Sequence, residues 1–279
     1  MAILLLQART NSSRLPAKVL LPIEGVPLVV LAAQRAANTG HRVVVVTSHE
    51  KTDDALCIIL QNWNIEYFRG DLENPLKRFV DALKLVADEQ VVVRLTGDNV
   101  VPDGAFIDEL LEDFKNRKLD YLCCGDEACG LPHGISVEIT LAVHLRAACN
   151  QAETSFDREH VTPKIIKNYG RTLFKAYGHL AMHQYRCTVD TLDDYLLICR
   201  LFSGFDKPEK VPLDTLLTRL KSILPQAVSW KSGARMVLGA AQFGMNYGIT
   251  NKNGKPDQKQ VNTIVQTAIS NGVQYIDTA

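Results

Sequence analysis

Short apolar runs alternate with helical patterns through the first two hundred residues, and this alternation constrains the fold more than any other feature of the chain. The run at 42–47 consists almost wholly of β-branched residues, as expected for a strand that is buried on both faces. Strands alternating with helices indicate a mostly parallel, twisted sheet with helices on both sides. We therefore predict an α/β, Rossmann-like domain. The predicted strands are 3–8, 42–47, 65–68, 91–95, 120–124 and 135–140, and the predicted helices are 28–37, 52–63, 75–88, 105–114 and 193–202.

The loop after the first predicted strand has an uneven charge pattern. The first 23 residues contain no carboxylate, yet Arg9, Arg14 and Lys18 all fall in this loop. Right-handed crossovers would put it on one rim with the loops after residues 47 and 95, where ligands of open α/β sheets bind. The expected ligand is a polyphosphate. The alternative is that the loop is only a solvated basic segment that binds no ligand. The Walker pattern Gly-x-x-x-x-Gly-Lys-Ser/Thr is absent.

Composition excludes several classes of protein. The 279 residues carry 31 basic and 31 acidic side chains, without the basic excess of a nucleic-acid or membrane-surface binder. No apolar stretch approaches the roughly 20 residues of a membrane helix, and 1–6 is too short for a signal peptide. Seven cysteines, an odd number, suggest reduced thiols and a cytoplasmic protein. Cys123, Cys124 and Cys129 lack a well-spaced fourth zinc ligand and are predicted to be buried.

Two aspartates at predicted strand ends are candidate metal ligands. Asp98 follows the central strand, where it can reach a Mg²⁺ ion that is bound mainly by phosphates and water. The alternative for Asp98 is to cap the next helix, but Asp103 lies nearer to that helix. A single aspartate would hold Mg²⁺-triphosphate weakly, and Asp190 can supply a second carboxylate.

These segments resemble the CMP-sugar synthetase-like cytidylyltransferases, most of all the spore-coat-polysaccharide type. The resemblance covers about residues 1–205 and rests on Gln-Ala-Arg-Thr-Asn-Ser-Ser-Arg-Leu-Pro-Ala-Lys at 7–18, Arg-Leu-Thr-Gly-Asp at 94–98 and Thr-Val-Asp-Thr-Leu-Asp-Asp at 188–194. It implies that the first loop wraps the β- and γ-phosphates of CTP and that Lys18 approaches the α-phosphate. It also implies that Asp98 and Asp190 hold Mg²⁺. The implied nucleotide-binding residues at these segments are Gln7, Ala8, Arg9, Ser12, Ser13, Arg14, Lys18 and Thr96.

The same resemblance implies sites for the base and for the acceptor. Short polar and basic residues near the rim fall where similar proteins contact the pyrimidine and ribose, namely Ser48, Arg69 and Arg78. Residues in two further segments fall on the acceptor side, namely Glu138, Glu159 and His160. Taken alone, a histidine beside a glutamate is more often structural. Similar proteins often have glycine at the positions of Asn11 and Ala17; asparagine tolerates a positive φ more readily than alanine does.

The predicted activity is Mg²⁺-dependent nucleotidyl transfer for polysaccharide or glycan biosynthesis. An oxygen of a sugar or sugar phosphate would attack the α-phosphate of CTP in line and expel pyrophosphate, with Lys18, Arg14 and Asp98 as the catalytic residues. Similar proteins commonly form homodimers. The sequence leaves open whether the substrate is CTP, UTP or another nucleotide. The alternatives are a glycosyltransferase, for which Gly97-Asp98-Asn99 lacks an Asp-x-Asp, and a non-catalytic nucleotide-sensing domain fused to a reductase.

The last part of the chain has a different pattern. We predict a nucleotidyltransferase domain at 1–228, a linker at 229–235 and a separate segment at 236–279. This segment resembles the opening of an aldo/keto reductase, with a first strand, a helix at 258–271 and a strand at 273–277 before Asp277-Thr-Ala. A (β/α)₈ barrel needs roughly 250 residues. We therefore expect a truncated, incomplete barrel fragment without reductase activity.

Overall fold

The computed structural model describes residues 2–223, 237–245, 254–270, 273 and 275–277. The chain divides into two compact units, Met1–Ile223 and Leu224–Ala279. The predicted linker at 229–235 lies outside the described residues.

A mostly parallel seven-stranded sheet forms the centre of the first unit's described part, which confirms the predicted fold class. Its spatial order is β5-β4-β1-β6-β8-β7-β9, and every neighbouring pair is parallel except those that β8 forms with β6 and β7. A short hairpin, β2–β3, follows the first loop. The strands are β1 (Ile3–Gln7), β2 (Pro22–Ile23), β3 (Val26–Pro27), β4 (Arg42–Ser48), β5 (Glu66–Gly70), β6 (Val91–Thr96), β7 (Tyr121–Cys124), β8 (Val137–Leu141) and β9 (Thr172–Leu173).

Helices cover both faces of this sheet. Those that pack on the face carrying Leu5 and Val46 include α3, α5 and α7, while α1 and α4 contact each other and other parts of the sheet. The helices of the first unit are α1 (Leu28–Ala36), α2 (Asp54–Asn62), α3 (Pro75–Ala82), α4 (Gly104–Asn116), α5 (Ala142–Gln151), α6 (Ser155–His160), α7 (Pro163–Tyr169), α8 (Leu192–Phe202) and α9 (Leu213–Ile223).

Local chemistry explains where several helices begin and end. Asn74 accepts from Lys77 N and Pro75 occupies the first turn, so α3 begins where the sequence predicts. The predicted helix at 75–88 is too long, because α3 ends at Ala82. Its end is held from another helix: Arg146 Nη2 donates to the carbonyl oxygens of Leu83 and Val86 at 2.8 and 2.6 Å.

The topology creates a crevice at one edge of the sheet. Gln7, the last residue of β1, is paired with Val46 of β4 on one side and with Thr96 of β6 on the other. The chain winds from β1 outward through β4 and β5 and then crosses back to β6. The loops after β1 and β6 therefore diverge at a topological switch point, the place where open α/β sheets bind ligands.

A buried polar cluster joins the end of the first unit to the sheet. Asp103 caps α4 by accepting from Phe106 N at 3.0 Å, and its second oxygen accepts from Leu213 N, at the start of α9, at 2.9 Å. Arg35 of α1 lies 3.8 Å from this carboxylate. These contacts fix α9 against the loop between β6 and α4.

The second unit contains a strand–helix–strand arrangement. β10 (Val237–Gly239) pairs in parallel with β11 (Tyr275–Asp277), and α10 (Ala241–Gly244) and α11 (Gln258–Ser270) lie between them in the sequence. The helix predicted at 258–271 thus agrees with α11 up to 270, and residue 271 lies outside the described part. None of the described helices of either unit is both long and apolar enough to span a bilayer.

Candidate active site

The first loop closes on itself next to β1. Ala17 N donates to Thr10 O at 2.8 Å, and Lys18 begins a short 3-10 helix, Lys18–Leu20. Ala17 has φ 57° and ψ 21°, the left-handed conformation that glycine adopts most easily. The alanine therefore keeps a backbone path suited to a glycine, whereas Asn11 does not have a positive φ.

Replacement of Ala17 with glycine should relieve this strain. The left-handed conformation costs an alanine about 1–2 kcal/mol, and part of the gain is offset by the greater entropy of the unfolded chain. We expect Ala17→Gly to raise the free energy of unfolding by about 0.5–1 kcal/mol, measured by urea denaturation. A destabilised variant would show that this backbone conformation is not strained.

Lys18 joins the two aspartates that the sequence predicts as metal ligands. The lysine side chain is buried, and its Nζ lies 2.9 Å from both Asp98 Oδ2 and Asp190 Oδ1. The same ammonium donates to Val189 O at 2.6 Å. One cationic group therefore bridges two carboxylates that are distant along the chain.

The two aspartates meet because the loop after β6 pairs with the segment before α8. Val189 N donates to Asp98 O at 3.0 Å, and Asn99 forms an isolated antiparallel bridge with Thr188. Gly97 allows the loop after β6 to pass close to the loop after β1, since a Cβ there would lie 2.9 Å from a side-chain carbon of that loop. This close passage brings the metal-ligand candidates beside the first loop.

Asp190 lies among three cations. Arg14 Nη2 is 2.8 Å from its Oδ1, which also faces Lys18, and Arg186 Nη2 is 2.5 Å from its Oδ2. Burial alone would raise the pKa of Asp190, but the hydrogen bond and charge of Lys18, with Arg14 and Arg186, hold that pKa below its ordinary value. Arg186 was not predicted as a site residue from the sequence, although its position four residues before Asp190 is a signal that could have identified it.

Two adjoining cavities open at this edge of the sheet. One of about 250 Å³ contains Lys18 and both aspartates in its wall, and the other, of about 270 Å³, shares Gln7 and Arg9 with it. Within the described part of the chain, the side chains of Arg9, Ser12 and Ser13 have no hydrogen-bond or ion-pair partner. The first cavity is lined by Gln7, Ala8, Arg9, Ser12, Ser13, Arg14, Lys18, Val19, Thr96, Gly97, Asp98 and Asp190.

The residues predicted for the base side occupy different environments. Arg78 lines the second cavity; it is fully buried and donates to Asp71 O and Leu72 O, while its Nη1 has no partner in the described part. Arg69 and Ser48 line neither of these two cavities. Arg69 binds the carbonyl of Ser48 at 2.8 Å, and Ser48 is buried.

The residues predicted for the acceptor side are also separated. Glu159 lines the second cavity, whereas the His160 ring contacts that of Phe156 in a tilted arrangement, with ring centroids 4.3 Å apart. Glu138 is paired with Arg94, its neighbour across β6 and β8, and accepts from Thr162 Oγ1 at 2.8 Å.

Glu138 is connected to the wall of the first cavity through its ion-pair partner, Arg94. Tyr121 also donates to its carboxylate, at 2.5 Å, and Arg94 Nη2 reaches Gln7 Oε1 at 3.3 Å. Burial would raise the pKa of Glu138, but the charge of Arg94 and the hydrogen bonds keep it low. Glu138 therefore holds Arg94 behind Gln7, and neither Arg94 nor Tyr121 was identified from the sequence.

The donor set suits a divalent cation that binds together with phosphate. Among the described residues there is no group of three or more histidine, cysteine, aspartate or glutamate side chains that could hold a metal by themselves. Asp98 and Asp190 already share one cation, and Mg²⁺ typically takes one or two protein carboxylates together with substrate phosphates. Cys123, Cys124 and Cys129 are buried, as predicted.

Comparisons with known proteins agree with this geometry. The family model described as cytidylyltransferase matches residues 3–218. The protein MJ1063 of Methanocaldococcus jannaschii is 31% identical over 209 residues, which are 72% of this chain and 83% of that protein. The spore coat polysaccharide biosynthesis protein SpsF of Bacillus subtilis is 30% identical over 225 residues, which are 77% of this chain and 92% of that protein. The structure of a cytidylyltransferase from Leptospira borgpetersenii has a TM-score of 0.72 at 25% identity, covering 80% of this chain and 95% of that one.

The family match extends from β1 into α9 and so includes the whole of the seven-stranded sheet. It also includes the first loop, Lys18, Asp98 and Asp190. The resemblance that these segments carry in the sequence is thereby confirmed for the first unit, and the family model ends at residue 218. The chain belongs to the cytidylyltransferase family and is a CTP-using nucleotidyltransferase.

Proposed function

We propose that this enzyme transfers a cytidylyl group from CTP to a sugar or sugar-phosphate acceptor in the presence of Mg²⁺. The observation that carries the proposal is the Lys18 ammonium between Asp98 and Asp190, beside the unpaired side chains of the first loop. The acceptor oxygen forms a bond to the α-phosphorus, the bond from that phosphorus to the bridging oxygen breaks, and pyrophosphate leaves. The proton of the acceptor hydroxyl passes to solvent or a base.

The first loop supplies the proposed phosphate contacts. Arg9, Ser12 and Ser13 offer donors that the rest of the described protein does not use. Arg14 is mostly exposed and held by Asp190, so it can exchange this carboxylate for a phosphate oxygen. Lys18 stands at the position of the family's lysine, and we propose that it contacts the α-phosphate. These groups would position the triphosphate and neutralise charge on the transferred phosphoryl group.

Asp98 and Asp190 would hold the magnesium ion. Bound there, Mg²⁺ supplies charge neutralisation at the phosphates. In the free protein Lys18 already bridges both carboxylates, so two protein ligands and the phosphates of the nucleotide together would hold the ion. This arrangement couples the binding of metal to the binding of nucleotide.

The second cavity is the proposed continuation of the site. Arg78 would face the nucleotide side and Glu159 the acceptor side, as their family positions imply. SpsF is named for spore coat polysaccharide biosynthesis, and we propose an acceptor of the same general kind, destined for a surface polysaccharide or glycan. We also propose that the enzyme forms a homodimer. The proposed domain limits are 1–228 for the nucleotidyltransferase domain, 229–235 for the linker and 236–279 for the second segment.

The reductase-like nature of the segment 236–279 stays a prediction. The parallel pairing of β10 with β11 around an intervening helix is the arrangement that a barrel opening would have. Asp277 ends β11, and the tyrosine and lysine partners of a reductase aspartate were not found in the sequence.

The decisive experiment is a panel of sugars and sugar phosphates incubated with CTP and Mg²⁺ and read by pyrophosphate release. We expect one acceptor class to stimulate release, and chelation by EDTA to abolish it. UTP and ATP serve as controls for base selectivity. Release of a nucleoside diphosphate from a nucleotide sugar would favour a glycosyltransferase. CTP binding without turnover on any acceptor would favour a nucleotide-sensing domain.

A further inference from the structure

A buried carboxylate outside the two cavities ties the first loop to the neighbouring strand. Asp53 Oδ1 accepts from Thr10 N at 2.8 Å and from Thr10 Oγ1 at 2.7 Å. Its Oδ2 accepts from Thr47 Oγ1 at 3.0 Å, from Ser48 N at 3.2 Å and from Ser48 Oγ. The Asp53 side chain is fully buried and forms no salt bridge in the described part of the chain.

These hydrogen bonds keep Asp53 ionised without a cation beside it. Burial would raise the pKa of Asp53, but the hydrogen bonds from Ser48, Thr10 and Thr47 hold it below its ordinary value. A buried carboxylate is costly unless its oxygens are well satisfied. The donors come from two separate segments, the start of the first loop and the end of β4.

The position of Asp53 at the start of α2 does not explain the hydrogen bonds of its carboxylate. Asp53 precedes α2, yet its side chain forms no capping hydrogen bond to that helix. Asp103 offers the contrast, because its two oxygens accept from the first turn of α4 and from the start of α9. The hydrogen bonds of Asp53 are therefore directed to the loop and to β4.

The hydrogen bonds between Asp53 and Thr10 lie at the base of the first loop. Thr10 O accepts from Ala17 N at 2.8 Å, so the segment between them is a closed loop whose base Asp53 holds. Arg9 and Lys18 lie immediately outside the two ends of this loop. Fixing Thr10 against β4 therefore fixes the spacing of the two cations across the first cavity.

We propose that Asp53 is a positioning residue for the triphosphate, acting through Thr10 on the spacing of Arg9 and Lys18. This inference rests on the proposed function of the loop as the phosphate site. An asparagine at position 53 has one acceptor oxygen and an NH₂ group, so either Thr10 N or Ser48 N would face a donor instead of an acceptor.

The test compares Asp53→Asn with Asp103→Asn, a matched loss of charge at another buried aspartate. We expect Asp53→Asn to raise KM for CTP and the Kd of a non-hydrolysable CTP analogue by about 10–100-fold, with kcat within about threefold of wild type. Asp103→Asn should lower the melting temperature and leave both constants unchanged. The Kd is measured by calorimetry and the melting temperature by circular dichroism.

Thr10→Val provides a second variant: it keeps the hydrogen bond from Thr10 N to Asp53 and removes the hydroxyl, which lies within hydrogen-bond distance of Asp53 Oδ1 and Thr52 O. We expect it to raise the Kd in the same direction, and the double variant to bind no more weakly than Asp53→Asn alone, since both changes break one connection. If Asp53→Asn does not fold, Thr10→Val decides the question. Wild-type Kd values in the folded variants would overturn this inference alone, whereas a wild-type protein that binds no CTP would overturn the proposed function as well.

Discussion

Lys18→Met is expected to lower kcat/KM for CTP by at least about 10³-fold while the protein still folds. Loss of a single preorganised group that neutralises a transition-state charge typically costs about 10²–10³-fold, and Lys18 also contacts both metal-ligand candidates. Asp190 keeps Arg14 and Arg186 in the variant, so the carboxylate is not left unpaired. Pyrophosphate release measures the turnover, and circular dichroism measures the fold.

A metal-binding measurement separates this role from a general loss of structure. Without the ammonium, the Asp98 carboxylate has no side-chain partner in the described part of the chain, and it can bind a divalent cation together with Asp190. We therefore expect Lys18→Met to bind Mn²⁺ in the absence of nucleotide more tightly than wild type does, measured by electron paramagnetic resonance. Asp98→Asn should lose turnover and also bind Mn²⁺ weakly in the presence of CTP.

Lys77→Met is the control for removing a lysine charge, because Lys77 pairs with Asp81 on the exposed face of α3. It should leave both turnover and Mn²⁺ binding at wild-type values. Near-normal turnover in Lys18→Met and Asp98→Asn would contradict the mechanism.

The parts of the site that were predictable from sequence are those with a local signal. The cations at 9, 14 and 18 follow a buried strand, and carboxylates at strand ends follow from the alternation of strands and helices. Their meeting depends on the pairing of the segments around Asn99 and Thr188, which only the folded chain reveals. No local pattern reports that Lys18 is buried between two aspartates.

Asp53 and Glu138 have partners that their positions in the sequence do not indicate. Asp53 looks like an ordinary acidic residue at a helix start, although its hydrogen bonds go to Thr10 and β4. The family resemblance places Glu138 on the acceptor side. The antiparallel register of β6 and β8 instead sets it opposite Arg94, and register is not readable from one strand alone.

Arg35→Met is expected to lower the free energy of unfolding by about 3–5 kcal/mol, the cost of breaking a buried polar cluster by removing one partner. The guanidinium is fully buried and donates to the carbonyl oxygens of Val101, Pro208 and Val211 at 2.8, 2.8 and 2.7 Å. Burial lowers the pKa of Arg35 to about 10, which the charge of Asp103 partly offsets, so the group is still charged at neutral pH. Urea denaturation measures the change.

The matched control is Arg42→Met, which removes an exposed arginine. Arg42 and its partner Glu66 have 55% and 48% of their side-chain surface exposed, so that ion pair contributes about 0–1 kcal/mol. The contrast follows from desolvation: methionine fills part of the space of Arg35 but leaves three buried carbonyl oxygens without their donor and removes the positive charge 3.8 Å from the Asp103 carboxylate. These carbonyl contacts join α1 to the segment before α9 and to the loop after β6, so a loss no larger than that of Arg42→Met would mean that the Arg35 hydrogen bonds do not stabilise this packing.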